Sequence, residues 1–351
     1  MLLDECAREG DRQAVESAVV AAPVSKGRLL GAGVLIALLL PAVACSSQAT
    51  SSGQPAAPTG QPIVLLTGPA GGAYAPLGRA LAKAYNARVP GVQVSATSAS
   101  GPEGAADNAE EVEQGKADLA FSRADIAYQV FQQADAGESA SAHLRSIAVL
   151  YTNAVHFIVR RASGITRGEE MRGHRVQMSE DTGGGMLARL VVEAYGLDIG
   201  EVQPIPASRR NALARLRANE LDVRIFASAY PLAINDVGPS SPLALLPLTP
   251  VAIDRLRSRS PFFKPAVIPS GTYNGQTGDI ETVGIDGLLL CRDSLPEPVA
   301  YELTKALFEA LPELAETSKA ARLIDAVNAP ATPVPLHRGA ARYYRERGLF
   351  R

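Results

Sequence analysis

The sequence predicts an α/β protein of two lobes, each built on a parallel sheet that helices cover on both faces. Short apolar runs alternate with amphipathic stretches through residues 62–351, which is the pattern of strands alternating with helices. This segment is long for one hydrophobic core and suits two. Turns rich in glycine and hydroxyl residues follow several of the predicted strands, at the positions where such sheets bind ligands.

The N-terminal residues have the order of an export signal. Lys26 and Arg28 precede an uncharged apolar run, and small residues then lead to Cys45. This order predicts a signal peptide over residues 1–44 rather than a spanning helix, which needs about 20 apolar residues. The cleavage region resembles a bacterial lipobox, in which Cys45 becomes the lipidated first residue; ordinary cleavage near Ala44 is the alternative. Because residues 1–23 exceed what a signal peptide needs, we expect an alternative translation start at residue 24.

Residues 45–61 are predicted to form a flexible tether to the membrane. They are rich in Ser, Thr, Gly, Pro, Ala and Gln and carry no charge, so they cannot bury a core. The whole chain has 34 basic and 36 acidic residues, a net charge of −2, and no basic cluster interleaved with aromatic residues. This balance indicates no nucleic-acid partner.

The folded segment has one cysteine. Of the three cysteines in the chain, Cys6 precedes the signal and Cys45 is the anchor candidate. Cys291 lies in an apolar run, so we expect a buried core residue and no disulfide.

The predicted elements follow one another along the folded segment. Strands are predicted at 63–66, 92–94, 118–121, 147–150, 155–160, 175–178, 222–226 and 282–290. Helices are predicted over 74–86, up to 114, and over 125–133, 186–195, 211–219 and 298–311. Gly115 is the stop signal of the second helix.

The turn at 67–74 joins a strand to a helix and is rich in glycine. Glycines let backbone N–H groups approach a ligand, and a helix N-terminus favours negative charge. The turn lacks the Lys-Ser/Thr of a phosphate-binding P-loop and the spacing of a dinucleotide fingerprint. A tight turn without a ligand is the alternative.

Two further turns offer hydroxyl groups. In the turn at 179–185, Ser179 or Thr182 can cap the following helix and also donate to a carboxylate; a cap alone is the alternative. In the turn at 226–231, Ser228 and Tyr230 offer hydroxyls at the mouth of a cleft, and Pro231 suits a first helical turn.

A fourth turn, at 122–125, carries a cation. Its sequence, Ser122-Arg-Ala-Asp125, is similar to a capping box. A guanidinium near a helix N-terminus is disfavoured unless it meets an anion, and arginine binds carboxylates bidentately. Arg123 is therefore a candidate ligand contact, with a solvated surface arginine as the alternative.

The sequence shows no catalytic constellation. The four histidines have no metal-ligand spacing with another His or Cys, and no Gly-x-Ser-x-Gly elbow is present. We therefore expect no enzymatic activity, no cofactor and no bound metal.

Many segments occur in the order of one known family. They are 67–78, 89–92, Asn108, 115–121, 155–156, 163–165, 173–176, 181–183, 222–231, 268–273, 335–340 and 343–344. The first is similar to the pattern T-G-x-x-G-x-Y-Y-P-L-G, although it is one residue longer and has Ala75 in place of the second aromatic residue. Over essentially all of its folded part, the chain resembles the TAXI-type solute-binding proteins of tripartite ATP-independent periplasmic (TRAP) transporters.

This resemblance implies a type II periplasmic-binding-protein-like fold, with two α/β lobes joined by a strand hinge and the ligand cleft between them. The implied lobes are 62–156 with 287–351, and 157–286. The implied ligand is a small acidic metabolite, such as a glutamate-like amino acid, a 2-oxo acid or a dicarboxylate. The expected ligand contacts are Gly72, Ala73, Tyr74, Arg123, Ser179, Thr182, Gly183, Ser228 and Tyr230. Arg123 stands where the family commonly has Gln, so we expect it to select a carboxylate or dianion.

The implied partners are the subunits of a TRAP-type permease, which an ion gradient drives. We expect a monomer held at the outer face of the cytoplasmic membrane by the lipid anchor. Two alternatives remain open: a binding protein that presents its ligand to a membrane receptor kinase, and the binding subunit of an ABC importer. The same pocket would serve each of these roles.

Overall fold

The computed structural model describes residues 60–68, 73–98, 105–136, 142–178, 182–208, 211–229 and 236–349. All of them lie in the unit Pro55–Arg351. In this part of the chain, no helix combines the length and the apolar character needed to cross a membrane.

The described residues form ten strands and nine α-helices. The strands are β1 Gln61–Thr67, β2 Val92–Ser98, β3 Leu119–Arg123, β4 Leu144–Arg160, β5 Arg175–Met178, β6 Gln203–Pro206, β7 Val223–Ser228, β8 Leu243–Leu246, β9 Phe263–Ile268 and β10 Ile280–Arg292. The helices are α1 Tyr74–Arg88, α2 Ala105–Glu113, α3 Ala124–Asp135, α4 Thr182–Ala194, α5 Ala212–Arg217, α6 Pro250–Arg259, α7 Glu297–Glu309, α8 Leu311–Thr317 and α9 Arg338–Glu346.

The strands belong to one sheet with the order β2-β1-β3-β10-β4-β7-β5-β6, to which β8 is added beside β4 and β9 beside β10. Strands β1, β2 and β3 pair in parallel, and so do β5, β6 and β7. The two parallel groups are joined through β4 and β10, which pair antiparallel with each other and with their other neighbours. The predicted α/β class is confirmed, and the sheet is mixed rather than purely parallel.

The two long strands β4 and β10 connect one parallel group of strands to the other. Strand β4 pairs with β10 over its first part and with β7 and β8 over its last part. The prediction of two separate strands at 147–150 and 155–160 is therefore wrong. The residues between them remain in the sheet because Thr152 pairs with Asp286 and Asn153 with Ile285. The proposed division into two lobes follows these strands, and its boundaries stay a prediction.

Helices cover both faces of the sheet, as predicted. Alternate residues of β10 show this, since Leu288 and Leu290 belong to one hydrophobic cluster and Leu289 and Cys291 to the other. The first cluster includes residues of α2, α3, α4 and α6, and the second includes residues of α1, α7, α8 and α9. Cys291 is fully buried, and burial raises the pKa of its thiol, so its prediction as an inert core residue is confirmed.

The C-terminal helix α9 was missed by the sequence analysis. Its N-cap is His337, whose Nδ1 accepts a hydrogen bond of 3.1 Å from the Gly339 N–H. The hydroxyl of Tyr344 then donates to the carbonyl of Ile147 in β4. Histidine is not among the usual N-cap residues, so the sequence at this position does not indicate the start of a helix.

Candidate functional site

The carboxyl ends of strands from the two parallel groups converge on the middle of β4 and β10. At the end of β3, Arg123 pairs with Gly287, which in turn pairs with Tyr151. At the end of β7, Ser228 pairs with Ala154, only three residues further along β4. Strand β1 is parallel to β3 and β5 is parallel to β7, so the four predicted turns all follow strands that run toward this point. Ligands bind such sheets at these ends.

Tyr74 lies where the first turn meets the sheet. It is the first residue of α1, and its ring centroid is 5.2 Å from that of Phe121 and 5.8 Å from that of Tyr151. Its hydroxyl donates a hydrogen bond of 3.1 Å to the carbonyl of Ser122. The side chain is half-buried, so this tyrosine is held against the central strands while part of its surface stays open.

The fourth turn holds a buried ion pair instead of a capping box. The Arg123 Nε donates to Asp125 Oδ1 at 2.9 Å, and Nη2 of the same guanidinium contacts Oδ2. Arg123 is the N-cap residue of α3, and its side chain makes no capping hydrogen bond. The capping-box prediction is therefore wrong, because the Asp125 carboxylate accepts from the guanidinium instead.

The pair is also almost completely withdrawn from water. Arg123 is 6% exposed and Asp125 is 1% exposed, so Arg123 is not the solvated surface residue of the alternative interpretation. Its charge is already opposed by a carboxylate of the protein. A direct contact between Arg123 and a ligand stays a prediction.

The structure describes only some of the other predicted ligand contacts. Ser228 is the last residue of β7 and is half-buried; Ala73 packs, like Tyr74, against the cluster that contains α1. Thr182 and Gly183 are the first residues of α4. Four predicted residues lie outside the part of the chain that the structure describes, namely Gly72, Ser179, Tyr230 and the anchor candidate Cys45.

Polar residues of the central strands were missed by the sequence analysis. Asp286 is 1% exposed, accepts a hydrogen bond of 2.8 Å from the Thr152 hydroxyl and forms an ion pair with Lys264 of β9. Asn153 donates to the carbonyl of Ile285 at 3.1 Å. The sequence did indicate the special position of Asp286, because a single carboxylate inside the apolar run 282–290 is unusual for a buried strand.

His156 supports the end of β7 from within the core. Its ring stacks on Phe226 at 4.8 Å, and its Nδ1 and Nε2 lie 2.9 Å from the Ala154 carbonyl and 2.7 Å from the Tyr273 hydroxyl. The carbonyl can only accept, so Nδ1 carries the proton and Nε2 accepts from Tyr273. The pKa of His156 is lowered to about 4, mainly by burial and also by the nearby Arg224 cation, while the hydrogen bond to Ala154 opposes this shift.

This histidine has a structural role in the core. No group of three or more His, Cys, Asp or Glu residues in the described ranges is arranged to bind a metal ion. The assignment of His156 as a structural residue rests on its two hydrogen bonds and the stacked phenyl ring.

Comparisons with known proteins give a family match and several distant structural similarities. The model of the NMT1-like family matches residues 65–348. The periplasmic aliphatic sulphonate binding protein SsuA from Escherichia coli is 16% identical, with 76% of this chain and 75% of that chain covered and a TM-score of 0.41. The amino acid ABC transporter substrate-binding protein AbpA from Streptococcus pneumoniae, bound to L-arginine, is 16% identical, with 75% and 96% covered and a TM-score of 0.41.

A TRAP periplasmic solute binding protein from Shewanella oneidensis, with bound succinate, is 11% identical, with 83% of this chain and 87% of that chain covered and a TM-score of 0.43. Identities and TM-scores this low leave the ligand and the partner of this chain to be argued from its own residues.

Proposed function

We propose that this chain, which belongs to the NMT1-like family, is an exported solute-binding protein of a membrane transporter. The family and the geometry of the strand ends support this proposal. The observation that carries the proposal is the convergence of the β3 and β7 carboxyl ends on residues 151–154 of β4. Turns from two groups of strands then surround one position, which is how an α/β sheet builds a ligand cleft.

An acidic solute is favoured by the helices that begin at this point. Helix α1 begins at Tyr74 and α4 at Thr182, and neither has an acidic residue in its first turn. The partial positive charge of the α1 N-terminus is therefore not opposed by a carboxylate of its own helix, whereas Glu180 and Asp181 directly precede α4 in the sequence. Helix α3 differs, because Asp125 lies in its first turn and binds Arg123. The preference for an acid thus rests on α1 more than on α4 or Arg123.

The proposed ligand is a glutamate-like amino acid, a 2-oxo acid or a dicarboxylate, bound by the residues named from the sequence. Among the described contacts, Tyr74 and Ser228 offer hydroxyls beside the central strands. The Tyr74 hydroxyl donates to the Ser122 carbonyl, so toward a ligand it acts as a hydrogen-bond acceptor or packing surface.

The proposed partner is a TRAP-type permease at the membrane, with the chain anchored through Cys45. An ABC importer or a receptor kinase would use the same cleft, so the partner must be identified by the energy source. Uptake in membrane vesicles should follow an imposed ion gradient and continue without ATP. Uptake that requires ATP would favour the ABC importer, and ligand-dependent phosphorylation without uptake would favour the sensor.

A thermal-shift screen of the mature protein tests the ligand class. It should include amino acids, 2-oxo acids, dicarboxylates and neutral sugars. A ligand at 100 times its dissociation constant stabilises the folded state by about 2.7 kcal/mol. We expect hits among the acids, confirmed by calorimetry and weakened by Ser228→Ala. Hits confined to neutral sugars would overturn the acidic class, and calorimetric binding that is unchanged in Ser228→Ala would argue against the proposed cleft.

A further inference from the structure

A second cavity lies beside the central strands. It has a volume of about 230 Å³, and the polar residues Thr152, Lys264, Asp286, Asp325 and Asn328 are part of its lining. None of these is among the contacts proposed for the cleft. Leu323, a large apolar residue that is 48% exposed, also lines the cavity.

The cationic part of this lining is Lys264. Its ammonium forms an ion pair with Asp286, whose other carboxylate oxygen accepts from Thr152 at 2.8 Å. Among the described residues, Asp286 is the ion-pair partner of Lys264, and an ammonium has three N–H donors. Two donors therefore remain for an acceptor inside the cavity. Because Asp286 is almost fully buried, its ion pair holds the ammonium against the strands.

The anionic part comes from the segment that follows the short helix Lys319–Leu323. Asp325 accepts from the Val327 N–H at 3.0 Å and from the Asn328 side-chain amide at 2.6 Å. Each carboxylate oxygen can accept more than one hydrogen bond, so Asp325 keeps acceptor capacity. The amide oxygen of Asn328 adds another acceptor to the same part of the lining. Both residues are exposed, which leaves them accessible to a ligand.

We propose that this cavity is a second binding site and that its ligand is a compact zwitterion, with a carboxylate at Lys264 and an ammonium at Asp325 and Asn328. A ligand with only one charge would contact one part of the lining and leave the other with its partners inside the protein. A cavity of about 230 Å³ has room for a molecule of amino-acid size, because a single water needs only about 10–15 Å³ of such volume. The cavity shares Tyr151 and Thr152 with the central segment of the proposed cleft, whereas Lys264, Asp325 and Asn328 are not among the cleft contacts. The proposed binding at these three residues does not depend on the proposed function.

The site also has a consequence for the central strands. Lys264 belongs to one proposed lobe and Asp325 to the other, while Thr152 and Asp286 come from the two strands that join them. A zwitterion bound to both parts would hold Lys264 and Asp325 at a set separation. By linkage, its binding would then depend on any change in the angle between the lobes.

Calorimetry with glycine as the probe tests the site in the mature protein. We expect saturable binding of glycine to the native protein, and binding at least tenfold weaker for acetate and for methylamine, which each carry one of the two charges. Asp325→Ala should weaken glycine binding at least tenfold without preventing folding, because Asp325 is exposed. The matched control is Asp254→Ala, an exposed acid on α6 whose side chain is 78% exposed, and it should leave glycine binding unchanged.

A cleft variant separates this site from the proposed function. Ser228→Ala should bind glycine as the native protein does. If glycine binding is lost in Ser228→Ala and kept in Asp325→Ala, then glycine occupies the cleft and the second site is overturned. The absence of saturable glycine binding to the native protein overturns it as well. Failure of the acidic-solute screen with retained, Asp325-dependent glycine binding would overturn the proposed function alone.

Discussion

The hydroxyl of Tyr74 lies where a side chain on Gly287 would have to be. A Cβ built on Gly287 would be 2.7 Å from the Tyr74 hydroxyl oxygen, closer than real Cβ contacts come. Gly287 is also the residue of β10 that pairs with both Arg123 and Tyr151. The first turn of α1 therefore reaches the central strands only because residue 287 has no side chain.

Gly287→Ala should destabilise the protein by about 1–3 kcal/mol, the usual range for overpacking a core. Tyr74→Phe removes the oxygen that the new methyl group meets, so the double variant should regain part of the loss. A double-mutant cycle in urea measures this coupling free energy. Gly278→Ala is the control, since a Cβ there has no neighbour within 4 Å, and it should change stability little. A coupling free energy of zero would show that the two residues do not interact.

Substitutions in the buried ion pair of Arg123 and Asp125 should lower the free energy of unfolding much more than substitutions in an exposed ion pair. Removing one partner of a buried ion pair leaves an uncompensated charge and costs about 3–5 kcal/mol. We expect Arg123→Ala to lose stability in this range, and Arg123→Ala/Asp125→Ala to lose less than the sum of the single losses. Urea unfolding measures each of these free energies.

The matched control for this pair is Arg88 with Glu313, whose side chains are 32% and 45% exposed. Arg88→Ala should cost about 1 kcal/mol or less. Equal losses at the two pairs would contradict the assignment of Arg123 and Asp125 as a buried pair. Solute affinity can be compared only among variants that remain folded.

Stability should fall as the pH is lowered through the range in which His156 resists protonation. Its pKa is lowered to about 4 in the folded protein against an ordinary 6.5, so the unfolded chain binds the proton first. The stabilisation by the neutral ring is present above pH 6.5 and is lost as the pH falls toward 4. From linkage, His156 should contribute a loss of about 2 kcal/mol between pH 7 and 5.

The measurement is urea unfolding of the native protein and of His156→Gln at both pH values. The variant keeps polar groups in the site but cannot take up a proton, so its loss of stability should be smaller. Arg224 remains in both proteins and disfavours a second cation at this place. An identical pH dependence in the two proteins would rule out His156 as its source.

Cys45→Ser should release the protein from the membrane fraction, because serine cannot carry the diacylglycerol thioether of a lipoprotein. Fractionation of cells and labelling with a radioactive fatty acid measure the anchor. Cys291→Ser is the matched control: its thiol is fully buried, so the variant should lose stability and keep the label. A labelled Cys45→Ser protein would contradict the proposed anchor.

Local pattern was sufficient to predict several elements almost to their ends. Strand β5 was predicted at 175–178 and is observed there, and the helix predicted over 74–86 is α1. Strands and helices of this kind have fixed hydrophobic periods, which a short window of sequence shows. Strand β4 was predicted in two pieces, which left Thr152 and Asn153 outside the strands. Their hydrogen-bond partners in β10 lie more than a hundred residues away along the chain.

The sequence by itself determined the α/β class, the order of the main elements and the four turns that follow strands β1, β3, β5 and β7. Tertiary structure alone decided that the end of β3, through Gly287 of β10, and the end of β7 lie opposite residues of β4 only three positions apart. It also decided that Asp125 binds the Arg123 guanidinium and that the Tyr74 hydroxyl lies against Gly287. The physical reason is that the periods of helices and strands are local properties of the chain. Strand register and side-chain partners arise from pairing between segments that are distant in sequence.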